Sequence, residues 1–156
     1  MPMLLHVALW EPEIPPNTGN IARLCAATGC PLHLIGKLGF RIDDSAVRRA
    51  GLDYWNDVEI HQHAALAEFQ QWMRERDGTI HCLTSHAEKH YTKIPYKTGD
   101  ALLFGAETRG LPTEIMQGQR EHCYTIPMPA GKVRCLNLST AAGVVLYDGL
   151  RQLHGW

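Results

Sequence analysis

The 156-residue chain carries almost no net charge: 15 Lys and Arg face 16 Asp and Glu, leaving −1 at pH 7 with histidine neutral. No global basic field exists to draw a polyanion, so any contact with nucleic acid has to come from local patches or from a partner that doubles them. Long apolar runs are missing too, which leaves no candidate for a membrane-spanning helix. The opening Met1-Pro2-Met3-Leu4-Leu5-His6 lacks the basic stretch and small-residue cleavage site of a secretory signal, and a cytoplasmic protein is expected. The five cysteines (Cys25, Cys30, Cys82, Cys123, Cys135) are odd in number and mostly set among apolar neighbours, a pattern of reduced, buried thiols rather than of a disulfide framework. Cys25 and Cys30 find no second pair to complete a zinc site. His61 and His63 share a strand face but find no third ligand nearby in sequence, and no metal is expected. Neither a phosphate-binding loop ending in Gly-Lys-Ser/Thr nor a Gly-x-Gly-x-x-Gly turn occurs, which argues against a nucleotide-dependent oxidoreductase.

What is present reads as one compact α/β domain over residues 1–156, with 45% hydrophobic and 20% charged residues. Leu4 to Trp10 is an apolar strand, and the prolines of Glu11-Pro12-Glu13-Ile14-Pro15-Pro16 exclude regular structure after it. Asn17 is placed to cap a helix whose apolar face carries Ile21, Leu24 and Cys25 and which Gly29 closes. Strands are expected at Leu32–Ile35, Val58–Ile60, Thr79–Thr84, Ala101–Gly105 and Tyr124–Ile126. Helices are expected at Ala64–Arg76, Thr113–Gln117 and Leu138–Leu153, with a short basic helix around Arg48 and Arg49. Strands alternating with helices give a parallel sheet covered on both faces.

Three segments carry more polarity than a scaffold needs. In Asn17-Thr18-Gly19-Asn20-Ile21-Ala22-Arg23, a rigid proline lead-in presents helix amides, two asparagines and an arginine, a setting for a phosphate or a ribose edge. An ordinary capped helix with a surface arginine would look the same. In Leu103-Phe104-Gly105-Ala106-Glu107-Thr108-Arg109-Gly110, a buried strand ends in a glycine-flanked polar turn, where open α/β sheets bind ligands. In Ile126-Pro127-Met128-Pro129-Ala130-Gly131-Lys132-Val133-Arg134-Cys135-Leu136-Asn137-Leu138-Ser139, a strand runs through a basic loop into a helix. Asn137 or Ser139 suits the cap of that helix, and Leu136 and Leu138 suit the wall of a pocket for a flat ring.

Together these segments resemble the three motifs of the SPOUT methyltransferases (SpoU/TrmH type). More narrowly they resemble the small tRNA 2′-O-methyltransferases of the TrmL/YibK group, which modify the cytidine or uridine at the wobble position. The resemblance runs along essentially the whole chain, including Arg48-Arg49-Ala50-Gly51-Leu52-Asp53-Tyr54. It implies a parallel-sheet SPOUT fold with a C-terminal deep trefoil knot, a homodimer, a tRNA substrate, no membrane, and S-adenosylmethionine as methyl donor with S-adenosylhomocysteine as product. Carried over by position, Leu83, Gly105, Ile126 and Cys135 match cofactor contacts, with Glu107, Gly110, Met128, Leu136 and Leu138 nearby. Arg23 matches the arginine regarded as essential, and Asn17, Glu107 and Asn137 match polar active-site positions. Cys135 departs from the serine common there in relatives. A backbone contact survives that change, whereas a hydroxyl contact does not.

An arginine stays protonated in proteins, so Arg23 is expected to orient the 2′-hydroxyl and stabilise its developing alkoxide rather than to act as the base. A substrate phosphate is a candidate proton relay. Arg48, Arg49, Arg134, Ser139 and Tyr147 are secondary candidates for RNA contact, and a dimer would bring Arg41 and Lys132 to the same cleft. A 2′-O-methyltransferase acting on another tRNA site or on rRNA, and a non-catalytic RNA-binding module, are the alternatives that this reading leaves open.

Overall fold

A computed structural model of the chain describes residues 4–43, 45–51 and 54–156. Residues 1–3 of the opening segment and residues 52–53 of the matching basic segment lie outside the described residues. Among the described residues, six strands form one sheet: β1 (His6–Trp10), β2 (Leu32–Ile35), β3 (Ile60–His63), β4 (Ile80–Leu83), β5 (Ala101–Phe104) and β6 (Cys123–Tyr124). The order is β3-β2-β1-β5-β4-β6 and every pairing is parallel. The α-helices are α1 (Pro15–Thr28), α2 (Ser45–Gly51), α3 (Leu66–Arg74), α4 (Thr113–Gly118) and α5 (Leu138–His154).

Apart from the edge strand β3, whose Gln62 is exposed, the strands are short and largely apolar because helices cover both faces. Leu5, Val7, Leu9, Leu32, Leu34, Leu102 and Phe104 pack with Ile21, Cys25, Val47, Ala142, Val145 and Leu146, so α1, α2 and α5 cover one face. Ala8, Ile35, Ile80, Cys82 and Leu103 pack with Phe69, Met73 and Ile115 of α3 and α4 on the other. In α5 the buried residues Leu138, Ala142, Val145, Leu146, Gly149 and Leu150 form a helical stripe, and Gly155 at φ 75° ends the helix. The described residues contain no helix long and apolar enough to cross a membrane.

Several element bounds move from their sequence expectation for physical reasons. Helix α1 starts at Pro15, with both prolines in the first turn, where a missing amide costs nothing. Asn17 is therefore inside the helix and does not cap it. Strand β3 sits at Ile60–His63 rather than 58–60, because Val58 closes the 3-10 turn Trp55–Asp57 and β2 sets the register. Strand β6 spans only two residues, and Thr125 pairs with His90 in an isolated bridge. Gly29 closes α1 at φ 74°, as expected.

Candidate active site and cofactor pocket

Parallel registry aligns the carboxyl ends of four strands: Leu9 lies opposite Phe104, Phe104 opposite Leu83, and Leu83 opposite Tyr124. Beyond that row the sheet opens into a cavity of about 660 Å³. The site thus sits where the chain switches sides of the sheet, beyond the strand carboxyl ends.

Apolar walls come from Leu83, Ile126, Met128, Leu136 and Leu138, and the loop residues Arg134, Cys135 and Asn137 close one side. Gly105, Glu107 and Gly110 line the opposite side, from a turn that folds back on itself. Gly110 donates to the Ala106 carbonyl at 2.8 Å, and Ala106 donates back at 3.2 Å. Both glycines are sterically required. A Cβ on Gly105 would lie 2.2 Å from the Gly110 carbonyl carbon, and Gly110 has φ 68°, in the left-handed region.

Three remote segments meet through one hydrogen-bonded chain. The Glu107 carboxylate accepts from the amides of Glu13 and Ile14 at 2.8 and 2.9 Å and from Asn17 Nδ2 at 3.1 Å. A carboxylate at this point also complements the N-terminal dipole of α1. Asn137 Nδ2 donates to Asn17 Oδ1 at 3.1 Å. Asn137 Oδ1 in turn accepts from the Ser139 amide at 2.9 Å and hydroxyl at 2.6 Å, which makes Asn137 the cap of α5. The capping role and the site role therefore coexist in one side chain.

A second set of contacts holds the same two loops together. Glu13 accepts from the Thr108 amide at 2.8 Å and hydroxyl at 2.7 Å. The amide bond first, and then the hydroxyl bond, hold the Glu13 carboxyl below its ordinary pKa. Arg109 reaches Glu11 at 3.1 Å and lies over the Trp10 ring. Sequence reasoning missed these partners, since they lie 95 to 98 residues apart. It also missed Thr84, Ser85, His86 and Thr125 in the lining, although their places just past β4 and β6 were a usable signal.

Of the sequence candidates, Asn17, Leu83, Gly105, Glu107, Gly110 and Ile126 converge on the cavity, as do Met128, Arg134, Cys135, Leu136, Asn137 and Leu138. Ser139 touches it through Asn137. Arg23, Arg48, Arg49 and Tyr147 lie outside the lining, exposed on α1, α2 and α5. Of the five cysteines expected to be reduced, buried thiols, Cys25, Cys30, Cys82 and Cys123 are free and buried, while Cys135 departs from that expectation and is exposed in the loop. No group of three or more His, Cys, Asp or Glu among the described residues is placed to hold a metal ion.

Residues 4–147 match the SpoU rRNA methylase family. The chain belongs to that family. It is 46% identical to the tRNA (cytidine(34)-2′-O)-methyltransferase of Saccharophagus degradans, covering 96% of each chain. A solved structure concerned with the 2-OH methylation of C/U34 on tRNA superposes with a TM-score of 0.93 at 44% identity, covering 100% of both chains. The AdoMet-bound rRNA methyltransferase from Sinorhizobium meliloti gives a TM-score of 0.88 at 26% identity, covering 98% of this chain and 58% of that one. The six-stranded parallel sheet matches the fold of these methyltransferase structures.

Proposed function

We propose that this SpoU-family chain transfers the methyl group of S-adenosylmethionine to the ribose 2′-hydroxyl of the wobble nucleotide, cytidine or uridine 34, of tRNA. The observation that carries the reading is the Glu107–Asn17–Asn137 chain of hydrogen bonds, which ties all three polar segments to the rim of one cavity. Near-full-length identity to enzymes of that name supplies the substrate class.

The residues present fit the cofactor. A cavity of about 660 Å³ falls in the range of roughly 300–1,000 Å³ usual for small-ligand sites. Leu83, Ile126, Met128, Leu136 and Leu138 suit a flat base, and the backbone of the 105–110 turn offers polar groups at the rim. S-adenosylmethionine, when bound, supplies an electrophilic sulfonium methyl and leaves as S-adenosylhomocysteine. The protein's task is then to hold the hydroxyl in line and stabilise charge as its proton departs. Arg23 is assigned that stabilisation. Glu107, Asn17 and Asn137 fix the floor on which the nucleotide rests. Cys135 contributes through its backbone, which tolerates the change from serine.

Tyr147 and Trp156 on the α5 side of the molecule are 46% and 65% exposed, and Val144 beside them is 36% exposed. That apolar face supports a homodimer, in which Arg48, Arg49, Lys132 and Arg134 of two chains flank a common cleft and offset the near-neutral charge. Tyr147 and Ser139 are assigned to placing the RNA. The reading further includes one catalytic domain over 1–156, a trefoil knot formed as the 105–137 segments pass one another, and a cytoplasmic location beside the tRNA pool.

The test is transfer of labelled methyl from S-adenosylmethionine to tRNA lacking its native 2′-O-methylation, followed by nucleoside mapping. Label on the ribose of nucleotide 34 is the expected result. Label on another tRNA site or on rRNA refutes the substrate assignment. Failure to bind the cofactor leaves an RNA-binding module as the better account.

A further inference from the structure

Arg23 is exposed, and among the described residues no carboxylate or carbonyl accepts a hydrogen bond from it. Its guanidinium carbon lies 5.3 Å from the centre of the Tyr54 ring. We propose that Tyr54 is a positioning residue for Arg23: its ring holds the guanidinium by a cation–π contact without neutralising it. A carboxylate in the same place would hold the arginine as well, but would occupy its N–H donors and cancel its charge. An aromatic face takes no donor, so all five stay free for the oxygens of a substrate.

The position of Tyr54 is itself built. Helix α2 lies flush on α1 at Gly19, where a Cβ would come within 2.5 Å of Ala50 Cβ and 2.6 Å of the Val47 carbonyl oxygen. Gly19 precedes Arg23 by one helical turn, so the surface that receives α2 and the arginine share one side of α1. On the other side of the connection, Trp55 is buried in the main core and Asp57 closes a turn on the Tyr54 carbonyl at 2.9 Å. Val47 before it and Trp55 after it thus anchor the ring against α1, and Tyr54 itself is half-buried.

The inference rests on the reading that Arg23 acts at the ribose hydroxyl, and the test separates the two. In methyl transfer to tRNA, Tyr54→Leu lowers kcat by about two- to fivefold, the size of an exposed cation–π contact, and leaves S-adenosylmethionine affinity unchanged. Tyr54→Phe restores most of the rate. In an Arg23→Ala background Tyr54→Leu adds no further loss, because the partner it positions is gone. An equal loss in both backgrounds overturns the proposal, as does a Tyr54→Phe variant as slow as Tyr54→Leu. Heteronuclear relaxation of the Arg23 Nε–H supplies a readout independent of activity. That group is restrained in the wild type and in Tyr54→Phe and becomes mobile in Tyr54→Leu. An Arg23 signal as mobile in the wild type as in Tyr54→Leu sinks the clamp whatever RNA the enzyme modifies. A restrained signal in a protein that transfers no methyl to tRNA refutes the substrate reading and leaves the clamp standing.

Discussion

Lowering the pH should destabilise this protein through His33. Its ring is fully buried in β2, with Nε2 3.0 Å from His6 Nδ1 and Nδ1 2.9 Å from His63 Nε2. His61 stacks on it at 4.8 Å, Phe69 and Trp72 of α3 close the cage, and Arg76 adds positive charge from beyond α3. Glu59 and Glu68 are the acidic groups facing the cluster, acting on His6 and His63 respectively. Burial first, and then the neighbouring imidazoles and Arg76, push the His33 pKa down from 6.5 to about 2. The folded state therefore keeps His33 neutral while the unfolded chain takes up a proton, so stability falls as pH drops through about 6.5. Between about pH 7.5 and about pH 5 the unfolded state gains nearly one proton at this site, which removes about 2 kcal/mol of stability. His6 and His63, also lowered chiefly by burial, act in the same direction. Urea unfolding of the wild type and of His33→Asn at both pH values measures the effect. Paired carboxylates such as Asp100 titrate alike in both proteins and cancel in the difference. Equal pH dependence in the two proteins, within about 0.5 kcal/mol, refutes the argument.

Glu107→Gln replaces a triple acceptor with a group that presents N–H to other N–H donors. Charge-assisted bonds of about 1.5–3 kcal/mol each are weakened, and methyl transfer should fall by about ten- to a hundredfold in kcat/KM, read by steady-state kinetics. Gly105→Ala drives a Cβ into the backbone of Gly110 and should cost about 1–3 kcal/mol in denaturant unfolding. The same change should weaken S-adenosylmethionine binding in calorimetry, and unchanged affinity would separate the turn from the cofactor site. Arg23→Lys keeps the charge but removes the planar fork, so kcat should drop at least tenfold with tRNA affinity nearly constant. Near-normal turnover in that variant would show that no specific guanidinium role exists.

Local chemistry made much of this protein legible in one dimension. Apolar runs of four or five residues separated by helical stripes dictate a parallel α/β sheet, since only strands buried on both faces tolerate them. Gly29 and the Leu138–Leu150 stripe each act within a few residues of themselves, so their roles could be read from spacing, whereas Pro15 and Pro16 read as breakers and instead open α1. The order of the three polar segments pointed to the family.

Tertiary structure decided what depends on remote partners. Asn17 reads as a helix cap because its local neighbours suit one, yet Glu107 and Asn137 draw its side chain into the site. His61 and His63 reveal a shared strand face through their spacing of two. The burial of His63 and the stacking of half-buried His61 in a histidine cluster exist only because β1 and β2 place His6 and His33 beside them. Tyr54 carries no motif of its own, and its relation to Arg23 arises from two helices meeting at Gly19. A sequence records what each residue can do locally. Which of its hydrogen bonds and ring contacts form is settled only when parallel registry and helix packing bring distant groups within a few ångströms.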